Sequence, residues 1–202
     1  MSKGKLFIVS GPSGSGKDTI LQGVFKKHPE IKLSISSITR AMRAGEVEGE
    51  KYHFISRDEF EELLKNDMLL EHNVFVGNYY GTPKAPVEEC LNAGGDMILE
   101  IDVNGAAQVR EKMPEAISIF IMPPSFEVLK NRLSGRGTET AEVVEQRMTA
   151  ALGEIARAKE YDYIVINDQL DVAIDDLLSI ILSERLRINR QKQIIDEVLE
   201  KC

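Results

Sequence analysis

Lys17 ends a glycine-dense turn, Gly11-Pro12-Ser13-Gly14-Ser15-Gly16, and Asp18 and Thr19 follow it. The spacing Gly11-x-x-x-x-Gly16-Lys17 is that of a phosphate-binding loop. Glycine lets the backbone curl so closely that successive N–H groups converge on phosphate oxygens. A helix start adds unpaired N–H groups and the positive end of its dipole. The lysine adds a mobile cation, suited to the β- and γ-phosphates of a nucleoside triphosphate. A flexible glycine turn with a surface lysine is the plainer reading, but it needs neither a strand before it nor a helix after it. Both are present: Leu6–Val9 is an apolar run of the buried parallel kind, and Ile20, Leu21, Val24 and Phe25 share one helical face. In one respect the loop departs from its pattern. Asp18 stands where a serine or threonine hydroxyl normally meets Mg²⁺. A carboxylate is the stronger Mg²⁺ ligand, and it also repels phosphate.

Three other groups of residues suit the same chemistry. Arg40 and Arg43 share a polar loop, and a planar, always-charged guanidinium matches phosphate bidentately. A solvated basic turn is the alternative. Arg132 and Arg136 bracket a glycine-containing hinge, and Arg147 lies on the next helix beside the apolar position Met148. They are placed to close over bridging phosphates and exclude water, or else to form surface ion pairs. Glu71, Glu100 and Asp102 are the acids. Glu71 interrupts an apolar run, where an unpaired carboxylate is costly. It would accept from the N1–H and N2–H edge of guanine, while Ser36 donates to O6; a buried ion pair is the other reading. Tyr52, Tyr80 and Thr82 offer hydroxyls to a phosphate, or simple strand packing.

These residues must be held by alternating strands and helices. Strands are expected at Leu6–Val9, Lys32–Ser37, Tyr52–Ile55, Met97–Asp102, Ile117–Met122 and Tyr163–Ile166. Ser56-x-x-Glu59 is a capping box that starts a helix through about Lys65. Pro83 opens a helix through about Leu91. Further helices are expected at 104–112, from Ser125 to Leu133, from Thr140, and from about Asp171 towards the end. The rhythm implies right-handed βαβ units and a parallel sheet flanked by helices. The segment 36–95 breaks it and reads as an insertion, and 126–160 reads as a helical lid. The expected layout is one domain, with its core in 1–35, 96–125 and 161–202.

At 202 residues the chain has room for one α/β core, and a net charge of −8 argues against broad nucleic-acid or anionic-membrane binding. Cys90 and Cys202 make neither a disulfide framework nor a zinc spacing, so a reducing compartment is expected. No signal peptide or span-length apolar run is apparent, and the cytoplasm is the default. The sequence does not distinguish a monomer from a homodimer.

Ser36-Ser37-Ile38-Thr39-Arg40-Ala41-Met42-Arg43-Ala44-Gly45-Glu46 with Tyr52 resembles the signature of guanylate kinases. So do Gly77-Asn78-Tyr79-Tyr80-Gly81-Thr82, Leu99-Glu100-Ile101-Asp102, and Arg132-Leu133-x-x-Arg136-Gly137-Thr138-Glu139 followed by Arg147. Order and spacing match from about residue 5 to 185. The resemblance implies a P-loop NTPase-type core, a GMP-binding insertion, and transfer of phosphate from ATP with Mg²⁺ to GMP, and to dGMP. It implies ATP at Gly11 to Thr19, Arg132, Arg136 and Asn167. It implies GMP at Ser36, Arg40, Arg43, Tyr52, Glu71, Tyr80, Thr82, Glu100, Asp102 and Arg147, with Thr82 in the base or the phosphate pocket. Lys17, Arg40, Arg132, Arg136, Arg147 and Asp102 would act in the transfer, with Asp18 towards the metal. Ile38 stands where the family usually has a threonine. A guanylate-kinase-like interaction module would share the fold, but this chain keeps Gly16-Lys17 and the lid arginines. A kinase of this fold with another acceptor would lack the Ser36/Glu71 pair or use it differently.

Overall fold

A computed structural model of the chain describes residues 3–134 and 141–200; Arg136, the hinge around it and the expected helix start at Thr140 lie outside them. The first strand, β1 (Leu6–Ser10), is buried along its whole length. It sits at the centre of a five-stranded parallel sheet with β2 (Lys32–Leu33), β7 (Met97–Glu100), β8 (Ile117–Met122) and β9 (Tyr163–Ile166), in the order β2-β7-β1-β8-β9. Successive β1 side chains leave opposite faces. Phe7 and Val9 meet Ile20, Leu21 and Val24 of α1 (Lys17–Lys27) and Ala173, Ile174, Leu177 and Ile181 of α7 (Leu170–Arg185). Leu6 and Ile8 meet Val87 and Leu91 of α3 (Lys84–Asn92) and Ala106 and Val109 of α4 (Val103–Lys112). Each such buried aliphatic side chain contributes about 1.5–3 kcal/mol, and two covered faces explain why β1 is apolar throughout rather than alternating.

The expected strand at Lys32–Ser37 is two strands. β2 joins the parallel sheet, whereas β3 (Ser36–Ile38) leaves it for a second sheet, where it pairs with β4 (Tyr52–Phe54) and with β6 (Asn78–Pro83). That sheet runs β4-β3-β6-β5, with β5 (Leu69–Phe75) at its edge. A helix, α2 (Arg57–Lys65), starts at the expected capping box: Ser56 and Glu59 satisfy each other's backbone N–H. Pro83 ends β6 and caps α3 instead of opening it. The open edge of β5 is covered by α4. The Gln108 side chain pairs both ways with the His72 backbone, at 3.1 and 2.8 Å, and Lys112 reaches the Leu69 carbonyl at 3.1 Å.

Two more helices, α5 (Phe126–Ser134) and α6 (Ala141–Ala156), pack on each other through Leu129, Leu133, Met148 and Ala151. The last helix, α8 (Ile188–Leu199), is tied back by Asp96, whose buried carboxylate holds Arg185 at 2.6 Å and Arg190 at 3.1 Å. No helix among the described residues is long and apolar enough to cross a membrane.

Candidate active site

The glycine loop leaves β1 and enters α1 as the sequence requires. Gly14 and Gly16 have φ of 86° and 84°, a left-handed conformation that a side chain would strain. Left-handed residues set among right-handed ones fold successive amides into an anion-binding concavity. The loop is braced from outside. Asn167, just past the end of β9, donates to the Ser15 carbonyl at 2.7 Å, and Arg132 of α5 reaches the same carbonyl at 3.3 Å and that of Asn167 at 3.0 Å. From α6, Arg147 donates to Ser13 Oγ at 2.6 Å. Ser15 Oγ is buried without a protein partner, as befits a loop shaped around the oxygens of a ligand. A cavity of about 710 Å³ opens over residues 11–19 and is closed by Arg132, Glu154, Asn167, Asp168 and Leu170.

Beside it lies a cleft of about 390 Å³, lined by Lys17, Ser36, Arg40, Arg43, Tyr52, Glu71, Tyr80, Glu100 and Asp102 among others. These expected residues therefore converge on one wall-to-wall space. Arg40 grips Glu46 with two hydrogen bonds of 2.7 and 2.6 Å, and its guanidinium lies 5.5 and 5.6 Å from the rings of Tyr52 and Phe54. The Arg40 pairing, with the Arg43 amide, holds the Glu46 carboxyl down at about 2. Two residues expected at this site do not line it: Arg147, which stands at Ser13 of the glycine loop, and Thr82. Thr82 is fully buried behind the cleft wall, and its hydroxyl donates to Glu71 Oε1 at 2.6 Å. That hydrogen bond ties it to a carboxyl that lines the cleft.

Glu71 is 4% exposed. Burial pushes its carboxyl up to about 7, with the charge of Asp102 adding to the rise and the Thr82 hydrogen bond opposing it. Asp102 caps α4: one carboxylate oxygen accepts the N–H groups of Asn104 and Gly105, each at 2.8 Å. The other accepts from the Asn73 amide at 2.6 Å. Asp102 is thus fixed in orientation by a helix N-terminus and a neighbouring strand.

Lys17 hydrogen-bonds Glu100 and lies 3.4 Å from Asp18. Lys51 approaches the same two carboxylates, at 3.0 Å from Glu100 and 3.5 Å from Asp18. The ammonium groups of Lys17 and Lys51 hold the Asp18 carboxyl well below the usual range, against the cost of burial.

The residues that the sequence reading passed over are Lys51, Asn73, Phe75 and Glu154, and all but Lys51 had a signal. Asn73 and Phe75 follow Glu71 at the two-residue period of β5, so they share its face and line the same cleft. Glu154 follows Arg147 by two turns of α6 and lines both cavities. Burial first, and the Asp102 charge next, push its carboxyl up to about 7, with Lys17 opposing. Lys51 immediately precedes Tyr52.

Two anion-shaped spaces meeting at one lysine, on a parallel sheet with the loop after its central strand, are the architecture of a P-loop phosphotransferase. The family model for guanylate kinase matches residues 3–184. The guanylate kinase of Escherichia coli K12 is 47% identical over 203 residues, covering 100% of this chain and 98% of its own. The Salmonella typhi guanylate kinase is also 47% identical. The crystal structure of guanylate kinase from Anaplasma phagocytophilum superposes with a TM-score of 0.77 at 33% identity, over 94% of this chain and 90% of that one. The chain belongs to the guanylate kinase family.

Proposed function

We infer that the protein transfers the γ-phosphoryl group of ATP to GMP, giving ADP and GDP. Family membership supports the reaction, and one observation supports the roles of the residues: a buried carboxyl, Glu71, lines a cleft that shares Lys17 with the glycine loop. In this reading Glu71 accepts from guanine N1–H and N2–H, and Ser36 donates to O6. Thr82 holds Glu71 in place. Arg40, Arg43, Tyr52 and Tyr80 take the GMP phosphate, and Arg40 exchanges Glu46 for it. Lys17 leaves Glu100 for the β- and γ-phosphates of ATP. Arg132 and Arg147, with Arg136, follow the transferring group, and Asp102 lies between the substrates.

The accepting oxygen of GMP is already largely ionised near neutral pH. No strong base is needed, and the protein's work is in-line positioning and placement of cation charge. Mg²⁺ fits the donor set. Among the described residues there is no cluster of three metal-binding side chains, and Asp18 lies exposed on the rim of the loop cavity beside Thr19. That suits an ion that arrives on the nucleotide and keeps most of its water. When bound, Mg²⁺ would neutralise charge on the phosphates, and Asp18 would be the side chain placed to meet it or its water shell.

Gly105 tests the seat of Glu71. A Cβ added there would lie 2.6 Å from Glu71 Oε2. Gly105→Ala is expected to displace the carboxylate and raise KM for GMP roughly tenfold, the scale of one charged hydrogen bond. KM for ATP should hold, and thermal melting should change little because alanine favours the helix. Steady-state kinetics would decide it, and an unchanged GMP KM removes Glu71 from its assigned seat. The reaction itself is tested by following ATP consumption with GMP, dGMP, AMP, CMP and UMP as acceptors. GMP and dGMP should both turn over, because recognition is assigned to base and phosphate rather than to the ribose 2′-hydroxyl. Turnover of AMP equal to that of GMP would overturn the reading.

A further inference from the structure

Lys51 belongs to the segment that carries the acceptor site. Its carbonyl accepts from Ser36 N–H at 3.3 Å, and its neighbour Tyr52 lines the acceptor cleft. Its ammonium reaches the border between the two spaces. It lies 3.0 Å from Glu100, which lines the acceptor cleft, and 3.5 Å from Asp18, a residue of the loop cavity. Glu100 holds Lys17 on its other oxygen, so one half-buried carboxylate gathers the two lysines side by side. The four groups, Lys17, Lys51, Asp18 and Glu100, sum to zero charge. The polyphosphate of ATP brings several negative charges to this spot, and although Arg132 and Arg147 stand at the glycine loop, Lys17 itself is matched there by the carboxylates of Asp18 and Glu100. Lys51 is half-exposed, on a flexible four-carbon stem with three donors that need no fixed geometry.

We propose that Lys51 is a second polyphosphate-binding cation of the donor site, supplied by the acceptor segment and held on Asp18 and Glu100 until the nucleotide arrives. The proposal rests on the donor-site reading above. It explains how this chain carries a carboxylate at position 18: the ammonium that neutralises Asp18 in the free protein is the one that shields it from phosphate in the complex. It also couples the two substrates, because a residue adjoining Tyr52 then takes part in binding ATP.

Calorimetry on the full chain tests it, with AMP, ADP and the β,γ-imido analogue of ATP, each with Mg²⁺ and without. Lys51→Gln is expected to weaken ADP and the ATP analogue roughly tenfold, the effect of one charged hydrogen bond, and to leave AMP within about twofold. Equal losses on all three nucleotides, or none, overturn the proposal. A second variant separates contact from neutralisation. If Lys51 only offsets Asp18, adding Asp18→Ser to Lys51→Gln restores affinity and the proposal falls; if Lys51 reaches phosphate, the double variant stays weak. Lys17→Met keeps the two levels apart. A Lys17→Met chain that binds the analogue like wild type sinks the donor-site reading itself. Dependence on Lys17 without dependence on Lys51 sinks only the proposal for Lys51.

Discussion

Lys17→Met is expected to lower kcat by roughly 10³- to 10⁵-fold, the scale of removing a cation from a transferring phosphoryl group, while GMP affinity stays within about threefold. The asymmetry follows from where the lysine stands. It borders both spaces, but the acceptor side keeps its own cations in Arg40 and Arg43. The donor side would be left with Asp18 and Glu100 beside the phosphates and with Lys51 in place of two lysines. Charge in the transition state would then develop against two carboxylates with a single lysine between them, so the loss falls on the chemical step rather than on binding alone. Quenched-flow single turnovers with both substrates saturating would measure it, alongside calorimetry with GMP. Turnover within tenfold of wild type contradicts the role given to Lys17.

How much of this was legible in the residues depends on which physical signal each part emits. The loop and its flanks announce themselves locally. Apolar β1, two glycines that must be left-handed, and an amphipathic α1 all fall within one short stretch, and the structure has them there. The parallel sheet follows from the alternation of elements and is observed as β2-β7-β1-β8-β9. The split of residues 32–38 into strands of two different sheets was not legible, because a chain that crosses between sheets keeps the same β-type pattern on both sides of the crossing. Arginines and the P-loop lysine stood out by chemistry. Lys51 did not, since a lone lysine in a polar loop is compositionally ordinary until tertiary contacts bring it to Asp18 and Glu100. The burial of Thr82 was not legible for a related reason. Its neighbours Tyr79 and Tyr80 are half-buried, whereas Thr82 is fully buried and its hydroxyl donates to Glu71. Strand parity alone fixes which residues share a face, not which face is open.

Glu71→Gln is expected to cut kcat/KM for GMP by about two orders of magnitude, leave AMP nearly unchanged, and so collapse the preference between them. A carboxylate accepts from both N1–H and N2–H of guanine; the glutamine amide accepts from one and turns its own N–H₂ towards the other. The pH dependence separates this from simple loss of packing. With its carboxyl raised to about 7 in the free protein, Glu71 must lose a proton before it can accept from the base. GMP affinity in wild type should therefore rise with pH through 7, by up to about tenfold per unit below it. The glutamine variant should lack this component; the titration of the GMP phosphate is common to both proteins and cancels. Stability should move the opposite way. A carboxyl raised in the folded state adds stability that is present below its unfolded value near 4.5 and is lost as pH climbs through 7, here about 3 kcal/mol for Glu71. Glu154 adds a slope of the same sign in both proteins. Urea unfolding at pH 5 and pH 8 should thus show a flatter profile for Glu71→Gln, with the variant the more stable of the two at pH 8. A variant that weakens GMP yet stabilises the empty protein marks a buried charge retained for recognition at the expense of the fold. If GMP affinity keeps its wild-type pH profile after the substitution, the guanine contact belongs to another residue.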